Sequence, residues 1–296
     1  MKYLFLTALV FVVSVFFYGC SDENQNLSDL SESKNQSLTI GDIAYDKNNS
    51  NGYRIYLKEN ENLIPFFVLT SDYDGYCLIL REFLLDEYVV YNTPREYASY
   101  YADSNIDVFL NQTYYSQLSQ DIQQLIVPCK IEITTKNAID THDNETEIIE
   151  RNVFLLSANE VNSSLSRAAI KEGKPLLFFD KTSNRIATFD NLESSSWLLR
   201  TPALRDGNTI IGVADDGSIG MGGISTITGS GVGAVRPAFC IPANVPITLE
   251  NTDTGEKRFL LNKKLWLYTK CWGEERAYKI NLKIFKKSRA YFPKIR

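Results

Sequence analysis

Two pairs of aspartates in turn-like segments are the residues of this sequence best suited to bind a metal ion. Asp72 and Asp74 precede one glycine, and Asp215 and Asp216 precede another. Calcium prefers clustered carboxylate oxygens, so both segments are candidate calcium or ligand loops. Neither contains the distal glutamate of an EF-hand, and Asp-Gly is first of all a turn dipeptide. We therefore expect turns here. No cofactor is expected for the protein, and calcium at these loops is the alternative.

Catalytic chemistry finds little support elsewhere in the sequence. Paired carboxylates hydrolyse glycosidic bonds, but a chain with 36 acidic residues offers many such pairs. The single histidine, His142, lies in the acidic segment THDNETE, where no nucleophile-elbow sequence accompanies it. The run GSGVGA fits a dinucleotide fingerprint, but the Arg-Pro that follows argues against the helix which that fingerprint must open. We interpret His142 as a surface-loop residue and predict neither a catalytic residue nor a metal site built from several histidines.

Four cysteines besides Cys20 lie in the body of the chain, at positions 77, 129, 240 and 271. An exported chain can form disulfides, and four cysteines allow three pairings, between which the sequence does not choose. Buried free thiols are the alternative interpretation. No CxxC occurs, which argues against a zinc ribbon or a thioredoxin-type site.

The C-terminal region combines aromatic and basic residues. Trp266, Tyr268 and Trp272 fall on one strand face by the two-residue period. Such a row could stack on sugar rings if exposed, but we favour burial against a sheet. The residues from Lys257 to the end include 13 Lys and Arg against two acidic residues. We interpret them as a solvated cationic face, with an anionic lipid or glycan surface as the alternative.

The elements that position these residues belong to a mixed α+β pattern. With 17 Tyr and 16 Phe, the composition favours sheet over a helix bundle. LIPFFVLTSDYDGYCLILREFLL predicts two strands around a turn at 71–75, and the segment 104–126 predicts helices with Ser104 and Ser119 as N-caps. Strands are also predicted on both sides of the acidic loop, and Ser157 with Glu160 has capping-box spacing before a short helix.

The second half of the chain predicts mostly short strands. PLLFF and RIATF are candidate strands, and GAVRPAFCI is a candidate closing strand after a glycine-rich stretch. After Pro246, longer alternating stretches predict a β-rich extension of three or four strands. This extension is either a small domain or an addition to the main sheet.

The N-terminus is typical of an export signal. MKYLFLTALVFVVSVFFYGC has Lys2, then an apolar run over 3–18, and ends in Gly19-Cys20. We predict a lipoprotein signal peptide over 1–20 with lipidation of Cys20. A polar flexible tether follows over 21–38, then the main domain over 39–245 and the basic β-rich extension over 246–296. The alternative is a plain signal peptide or an N-terminal anchor helix.

Several blocks, among them SWLLRTP, VADDGSI and GAVRPAF, occur in an order that resembles a bacterial domain of unknown function, number six-two-seven-three. Its signature reads roughly Trp-Trp-Leu-Arg-Ser-Pro-Gly and later Gly-Val-Arg-Pro-Ala. The matching signature residues here are Trp197, Arg200, Pro202, Gly233, Arg236 and Pro237. The layout is also similar to the C-type lectin-like fold of sulfatase-modifying-factor proteins. The resemblance therefore implies a C-type lectin-like α+β domain, and it implies almost nothing about function.

We accordingly expect a non-enzymatic binding or adhesion module for a glycan or protein, lipid-anchored in a bacterial membrane and facing the periplasm or the cell surface. An enzyme related to the sulfatase-modifying group and a structural envelope component are the alternatives. Nucleic acid is not expected as a partner of an exported lipoprotein. Arg200 and Arg236 are predicted to be buried and to tie loops to the core, since an unpaired buried charge is costly. Their candidate partners are backbone carbonyls, Asp190, Asp215 and Asp216.

Overall fold

The computed structural model describes residues 38–48, 52–162, 170–203, 207–225, 234–252 and 257–262, with backbone alone over 220–225. The strands are, in chain order, β1 Arg54–Glu59, β2 Asn62–Tyr73, β3 Tyr76–Arg81, β4 Cys129–Thr134, β5 Thr146–Arg151, β6 Val153–Phe154, β7 Trp197–Pro202, β8 Thr209–Val213, β9 Ile219–Ser225, β10 Ala238–Ile241, β11 Ile247–Asn251 and β12 Lys257–Leu261. The helices are α1 Asn105–Phe109, α2 Tyr115–Gln117, α3 Gln120–Gln123, α4 Lys136–Thr141 and α5 Ala158–Val161. A π-helical turn, Leu110–Tyr114, joins α1 to α2, and 3-10 helices span Ile40–Ile43, Tyr45–Lys47, Leu177–Asp180 and Thr182–Asn184. The predicted α+β class is confirmed.

A seven-stranded sheet in the order β11-β12-β1-β2-β3-β10-β6 forms the centre of the structure. All its neighbouring strands run antiparallel except β12 and β1, which are parallel. Two smaller antiparallel sheets, β4-β5 and β7-β8-β9, complete the strand structure of the described residues. One continuous set of buried apolar side chains joins the three sheets and the helices α1, α3 and α5, so the core is shared.

The predicted turn between β2 and β3 is confirmed, and it is tighter than expected. Tyr73 pairs with Tyr76, which leaves a two-residue loop of Asp74 and Gly75. Both loop residues have positive φ, 52° and 85°, as the type I′ turns that suit twisted hairpins require. The side chain of Asp74 is thereby placed at a hairpin tip.

Two of the predicted helix starts carry the expected side-chain caps. Ser104 accepts a hydrogen bond from the Asp107 backbone N–H, and Ser157 with Glu160 forms a complete capping box at α5. A helix does follow Ser119, but the side chain of that residue makes no capping hydrogen bond. The segment interpreted as an acidic loop contains a helix that the sequence did not indicate, α4, which is capped by Thr135.

Two predicted strands are wrong. PLLFF contains a 3-10 helix over Leu177–Asp180, and RIATF contributes only an isolated bridge between Thr188 and Ser194. Phe178 and Phe179 are both buried, while Leu177 is 57% exposed. Consecutive residues of a strand face opposite sides of the sheet, whereas a tight helical turn can direct two neighbouring rings into the same core. A short apolar run does not distinguish these structures by its pattern.

The described part of the C-terminal extension belongs to the main sheet. β11 pairs antiparallel with β12, and β12 pairs with β1 through Ile55 and Phe259. The backbone N–H of Ile247 also donates to the Leu38 carbonyl at 2.9 Å. Over these residues the extension is therefore an addition to the sheet and not a separate domain. Among the helices of the described residues, none is long and apolar enough to cross a membrane.

Candidate functional site

Arg200 lies at the centre of a buried charge cluster on β7, a strand whose residues are all buried. Its Nη1 and Nη2 donate to the two carboxylate oxygens of Glu160 at 2.8 and 2.9 Å, and both side chains are fully buried. Nη1 also donates to the Leu155 carbonyl at 2.8 Å, and Nε donates to the Glu132 carbonyl at 2.9 Å. The guanidinium is therefore used as a fork that satisfies several acceptors at once.

The aspartates predicted as partners of Arg200 are the wrong residues. Asp190, Asp215 and Asp216 are exposed, and the partner is Glu160. The capping box explains this, since the Ser157 backbone N–H donates to the Glu160 carboxylate at 2.8 Å. That contact holds the glutamate at the first turn of α5, directly against β7.

A second buried carboxylate, Glu172, adjoins this cluster. It accepts hydrogen bonds from the Thr134 hydroxyl and the Thr201 hydroxyl, both at 2.6 Å. Its oxygen Oε2 lies 3.8 Å from Arg200 Nε. Burial raises the pKa of Glu172, and the charge of Arg200 and the threonine hydrogen bonds act in the opposite direction. Because both carboxylates and Arg200 are fully buried, this cluster offers no surface to a ligand, and removal of one of its charges is expected to act on folding.

The second signature arginine has different surroundings. Arg236 is also buried, and its guanidinium lies 5.2 Å from the Trp197 ring centroid, a cation–π distance. Its Nε donates to the Arg81 carbonyl at 3.0 Å, while Nη1 finds no hydrogen-bond acceptor within the described structure. Burial lowers the pKa of Arg236 to about 9, so the group remains cationic at neutral pH.

The two signature blocks lie side by side. Trp197 and Ala234 form a parallel bridge, and the Leu198 N–H donates to the Ala234 carbonyl at 3.0 Å. Pro202 is buried at the end of β7, and the Pro237 carbonyl accepts from the Arg81 N–H at 3.0 Å. The described signature residues are thus part of the core. Gly233 lies outside the described residues.

A comparable buried pair was not found from the sequence. Arg81 donates to both oxygens of Glu59 at 2.9 and 3.0 Å, and the Tyr114 hydroxyl donates to the same carboxylate at 2.8 Å. Arg81 and Glu59 come from neighbouring regions of the main sheet, 22 positions apart, and no local motif marks them.

Of the aspartates proposed as calcium ligands, Asp74, Asp215 and Asp216 lie in turns, whereas Asp72 lies within β2. Asp74 accepts from the Lys130 backbone N–H at 3.1 Å, and Asp216 accepts from the Ser218 N–H at 2.8 Å. The Ser218 hydrogen bonds lower the pKa of Asp216. Asp72 and Asp215 are exposed. In the described portion, no group of three or more His, Cys, Asp or Glu side chains is arranged to hold a metal ion, and calcium binding at these turns stays a prediction.

Other predicted sites lie outside the described residues. These are the lipidation residue Cys20, the aromatic row Trp266, Tyr268 and Trp272, and Cys271. Cys77, Cys129 and Cys240 are buried free thiols in the structure.

An open pocket of about 320 Å³ contains the polar groups that a ligand could reach. Its lining residues are Arg95, Glu96, Tyr97, Ile139, Asp140, His142, Gly207 and Asn208. Ile139 is buried, whereas Arg95, Glu96, Asp140 and His142 are exposed. The pocket thus combines an apolar contact with hydrogen-bond donors and acceptors of both charges. We refer to it as the Tyr97 pocket.

Three separate segments position the Tyr97 pocket. The loop that carries Tyr97 is braced by Asn92, whose Nδ2 donates to the Ala98 carbonyl at 3.0 Å. The Ser99 N–H donates to the Gly207 carbonyl at 2.9 Å, which ties this loop to the segment that carries Asn208. The third segment is α4, which supplies Ile139 and Asp140.

Tyr97 itself has an unusual conformation. Its φ is 56°, in the left-handed region that bulky residues rarely adopt. Its hydroxyl donates to Asp140 Oδ2, and this hydrogen bond is the main reason that the pKa of Tyr97 is raised to about 12. Residues in rarely populated backbone regions persist only where the surrounding structure holds them in place. Such residues are concentrated at functional sites. Tyr97 is therefore both strained and accessible to a ligand.

The sequence did not indicate this pocket. His142 was interpreted as a surface-loop residue without function, and the structure places it in the pocket wall at the end of α4, with φ of 62°. None of the other lining residues was singled out. The sequence did not indicate the six-residue helix α4 in this acidic segment. The position of Asp140 relative to Tyr97 could therefore not be predicted.

Comparisons with known proteins identify one relationship. The family model described as domain of unknown function (DUF6273) matches residues 74–243. No curated protein and no solved structure matches the chain. The matched range contains both signature blocks and the whole lining of the Tyr97 pocket.

Proposed function

Since the chain belongs to the DUF6273 family, whose description names no activity, we propose from the geometry that it is a binding module with a glycan as ligand. The Tyr97 pocket carries this proposal. Among the polar clusters described above, it is the one in which charged and amide side chains surround an accessible cavity. At about 320 Å³ it lies at the lower end of the range of small-molecule pockets, roughly 300–1,000 Å³.

The chemistry of the lining favours a ligand rich in hydroxyl groups. Typical small-molecule pockets are mostly apolar, whereas this one presents the carboxylates of Glu96 and Asp140, the guanidinium of Arg95 and the amide of Asn208. Sugar hydroxyls both donate and accept hydrogen bonds, so they match a mixture of carboxylates, amide and guanidinium. The ring of Tyr97 adds an aromatic surface at the same place.

The location of the protein is part of the proposal. The lipobox-like FYGC before the polar tether supports lipidation of Cys20 and anchoring to a membrane, with the domain on the outer side of that membrane. In this setting, the module would bind an envelope glycan, a host glycan or a protein that carries one. Labelling with an alkyne fatty acid tests the anchor: the full chain should incorporate the label, and Cys20→Ala should not.

We also propose a C-type lectin-like arrangement for the main domain. The order of short helices, Trp-x-x-Arg block, glycine-rich segment and closing strand supports it. The adjacency of Trp197 and Ala234 is consistent with two signature blocks that close one domain. An experimental structure that superposes on lectin-like domains would support this arrangement, and a different strand connection would refute it.

Binding by the pocket can be tested with the full chain on a glycan array, followed by titration of the best glycan. We expect Asp140→Asn and Tyr97→Phe to weaken binding about tenfold or more, because each removes a charged or hydroxyl partner worth over 1 kcal/mol. Asp143→Asn is the matched control: it removes the same charge from an exposed residue just beyond α4 that does not line the pocket.

The outcomes distinguish the candidate functions. Unchanged affinity in both pocket variants would place the ligand elsewhere. If the array shows no stable glycan complex, and a sugar or ester substrate is instead turned over with loss of activity in Asp140→Asn, the enzyme alternative would replace the binding module.

A further inference from the structure

Three buried cysteines come together where β10 meets its neighbours. Cys77 lies on β3, Cys240 on β10 and Cys129 at the start of β4, and all three are free thiols with no measurable exposure. The Val127 N–H donates to the Cys240 carbonyl at 3.0 Å, so the chain leading into β4 runs alongside β10. Their number and proximity raise the question of which thiols can bond to each other.

Strand geometry separates Cys77 from Cys240. Cys240 pairs with Leu78, and Cys77 pairs with Ile241. Paired residues of an antiparallel sheet share a face, and successive residues alternate between faces. Cys77 and Cys240 therefore lie on opposite faces of the main sheet.

The same argument brings Cys129 to the face of Cys240. Val127 bridges to Cys240, so the two residues share a face, and Cys129 follows Val127 by two positions. After burial, the neighbouring Cys129 thiol contributes most to the raised pKa of Cys240, which indicates that the two side chains are close. Of the three described cysteines, these two lie on the same face in adjacent segments of the chain.

We propose that Cys129 and Cys240 form a disulfide when the chain folds in a compartment that contains protein disulfide donors. This goes beyond the proposed binding function, and its outcome does not depend on any ligand. Disulfides persist in the compartments that exported proteins reach. The bond would link β10 of the main sheet to β4 of a smaller sheet.

The reaction is a thiol–disulfide exchange with balanced electrons. The thiolate of Cys129 attacks the disulfide of an oxidoreductase, forms a mixed disulfide and releases one donor thiolate. The thiolate of Cys240 then attacks the Cys129 sulfur, closes the intramolecular bond and expels the second donor thiolate. Two protons and two electrons leave the cysteine pair, and the donor's disulfide becomes a dithiol.

The exchange has to precede complete burial. Desolvation raises the pKa of Cys240 well above its ordinary value, so the folded protein holds little of the thiolate that reacts. Once β10 is covered, the pair is inaccessible to the donor and to reductants. Chain produced in a reducing compartment would keep both thiols.

Peptide mapping of the full chain tests the pairing. The chain is exported to an oxidising compartment, denatured in N-ethylmaleimide and digested without reductant. We expect a linked peptide pair that contains Cys129 and Cys240, with Cys77 alkylated. Alkylation of both Cys129 and Cys240, or a link from either to Cys77 or Cys271, would overturn the proposal.

A second measurement uses thermal unfolding with and without reductant in the denaturing scan. The bond would close a loop of roughly 110 residues, so its reduction should lower Tm by about 5 °C or more. Cys77→Ser should keep this response to reductant, and Cys129→Ser should lose it. An equal response in both variants would contradict the pairing, and if Cys129→Ser does not fold, the peptide map of the unsubstituted chain decides.

Discussion

Arg200 and Arg95 each share a cluster with a carboxylate and a tyrosine, but the two clusters differ in exposure to solvent. In the Arg200 cluster, Glu160 is fully buried and accepts from both the guanidinium and, at 2.6 Å, the Tyr73 hydroxyl. In the Tyr97 pocket, Arg95 and Asp140 are exposed, and the Tyr97 hydroxyl donates to Asp140. In the Arg200 cluster the charged groups make their hydrogen bonds to other protein groups. In the Tyr97 pocket the charged groups are accessible to solvent.

This difference separates stability from binding. Removal of one partner from a buried pair leaves an uncompensated charge and costs about 3–5 kcal/mol, whereas exposed pairs contribute about 1 kcal/mol or less. Substitutions in the Arg200 cluster should therefore act on folding, and substitutions in the Tyr97 pocket should act on ligand affinity. The following predictions test that division, and they begin with the largest expected effect on stability and end with the smallest.

Arg200→Met should destabilise the protein most, by about 3–5 kcal/mol, because Glu160 would remain buried without its cation. Urea unfolding followed by circular dichroism measures the change. Arg200→Met combined with Glu160→Leu should recover part of the loss, since an apolar pair removes both charges. A single variant within 1 kcal/mol of wild type would mean that the cluster does not hold the fold together.

Arg236→Met provides a comparison between the two signature arginines. Among the described residues Arg236 makes no direct salt bridge, since Glu82 acts on it only at longer range, and its guanidinium lies over the rings of Phe67 and Trp197. Its replacement by an apolar side chain should cost less than Arg200→Met, about 1–2 kcal/mol from lost cation–π contact and one hydrogen bond. Equal costs at the two positions would contradict the different environments.

Gly173→Ala tests how closely the cluster is packed. A Cβ at this position would lie 2.5 Å from Glu160 Oε1, and the residue has φ of 69°. Steric contact and backbone strain together should cost about 2–3 kcal/mol. Gly75→Ala is the matched control, because its φ is 85° but nothing lies within 4 Å of the added Cβ. It should cost only about 1 kcal/mol.

Glu172→Gln should change the pH dependence of stability more than stability itself. Because burial raises the pKa of Glu172 in the folded state, folding favours the protonated form. Its contribution to stability is therefore fully present below the unfolded pKa and is lost as pH rises through the folded pKa. The free energy of unfolding of the variant should lie within about 1 kcal/mol of the wild-type value at pH 7. The variant should also lack the part of the pH dependence that is due to Glu172. Tm measured from pH 4 to pH 8 for both proteins gives the difference, and parallel curves over that range would refute the assignment.

The local features of this fold could be predicted from the sequence, and its long-range contacts could not. The β2–β3 hairpin and the capping box at Ser157 follow from residues within a few positions of each other. Glu160 and Arg200, in contrast, are 40 positions apart, and the chain contains many acidic residues that could have been the partner.

The Tyr97 pocket was missed for the same physical reason. Tyr97, Asp140 and Asn208 come from three segments that meet only in the folded chain. Neither a motif nor a period relates them, and the φ of Tyr97 is a consequence of tertiary packing. The resemblance in the signature blocks identified the family, but those blocks form the core and not the accessible site.

Tyr97→Phe should have the smallest effect on stability, below about 0.5 kcal/mol, because the hydroxyl and Asp140 lie in a solvent-accessible pocket. Tyrosine ionisation provides a sharper measurement than unfolding. The hydrogen bond to Asp140 raises the pKa of Tyr97 to about 12, so Asp140→Asn should return that pKa towards its ordinary value of about 10. Carbon-13-labelled tyrosine observed by NMR from pH 9 to pH 12, with Tyr97→Phe to assign the resonance, resolves this side chain from the others. An unchanged titration in Asp140→Asn would show that the Tyr97–Asp140 hydrogen bond does not persist in solution. The exposed Tyr97–Asp140 contact would then differ from the buried Tyr73–Glu160 contact in being disordered as well as in being accessible to solvent.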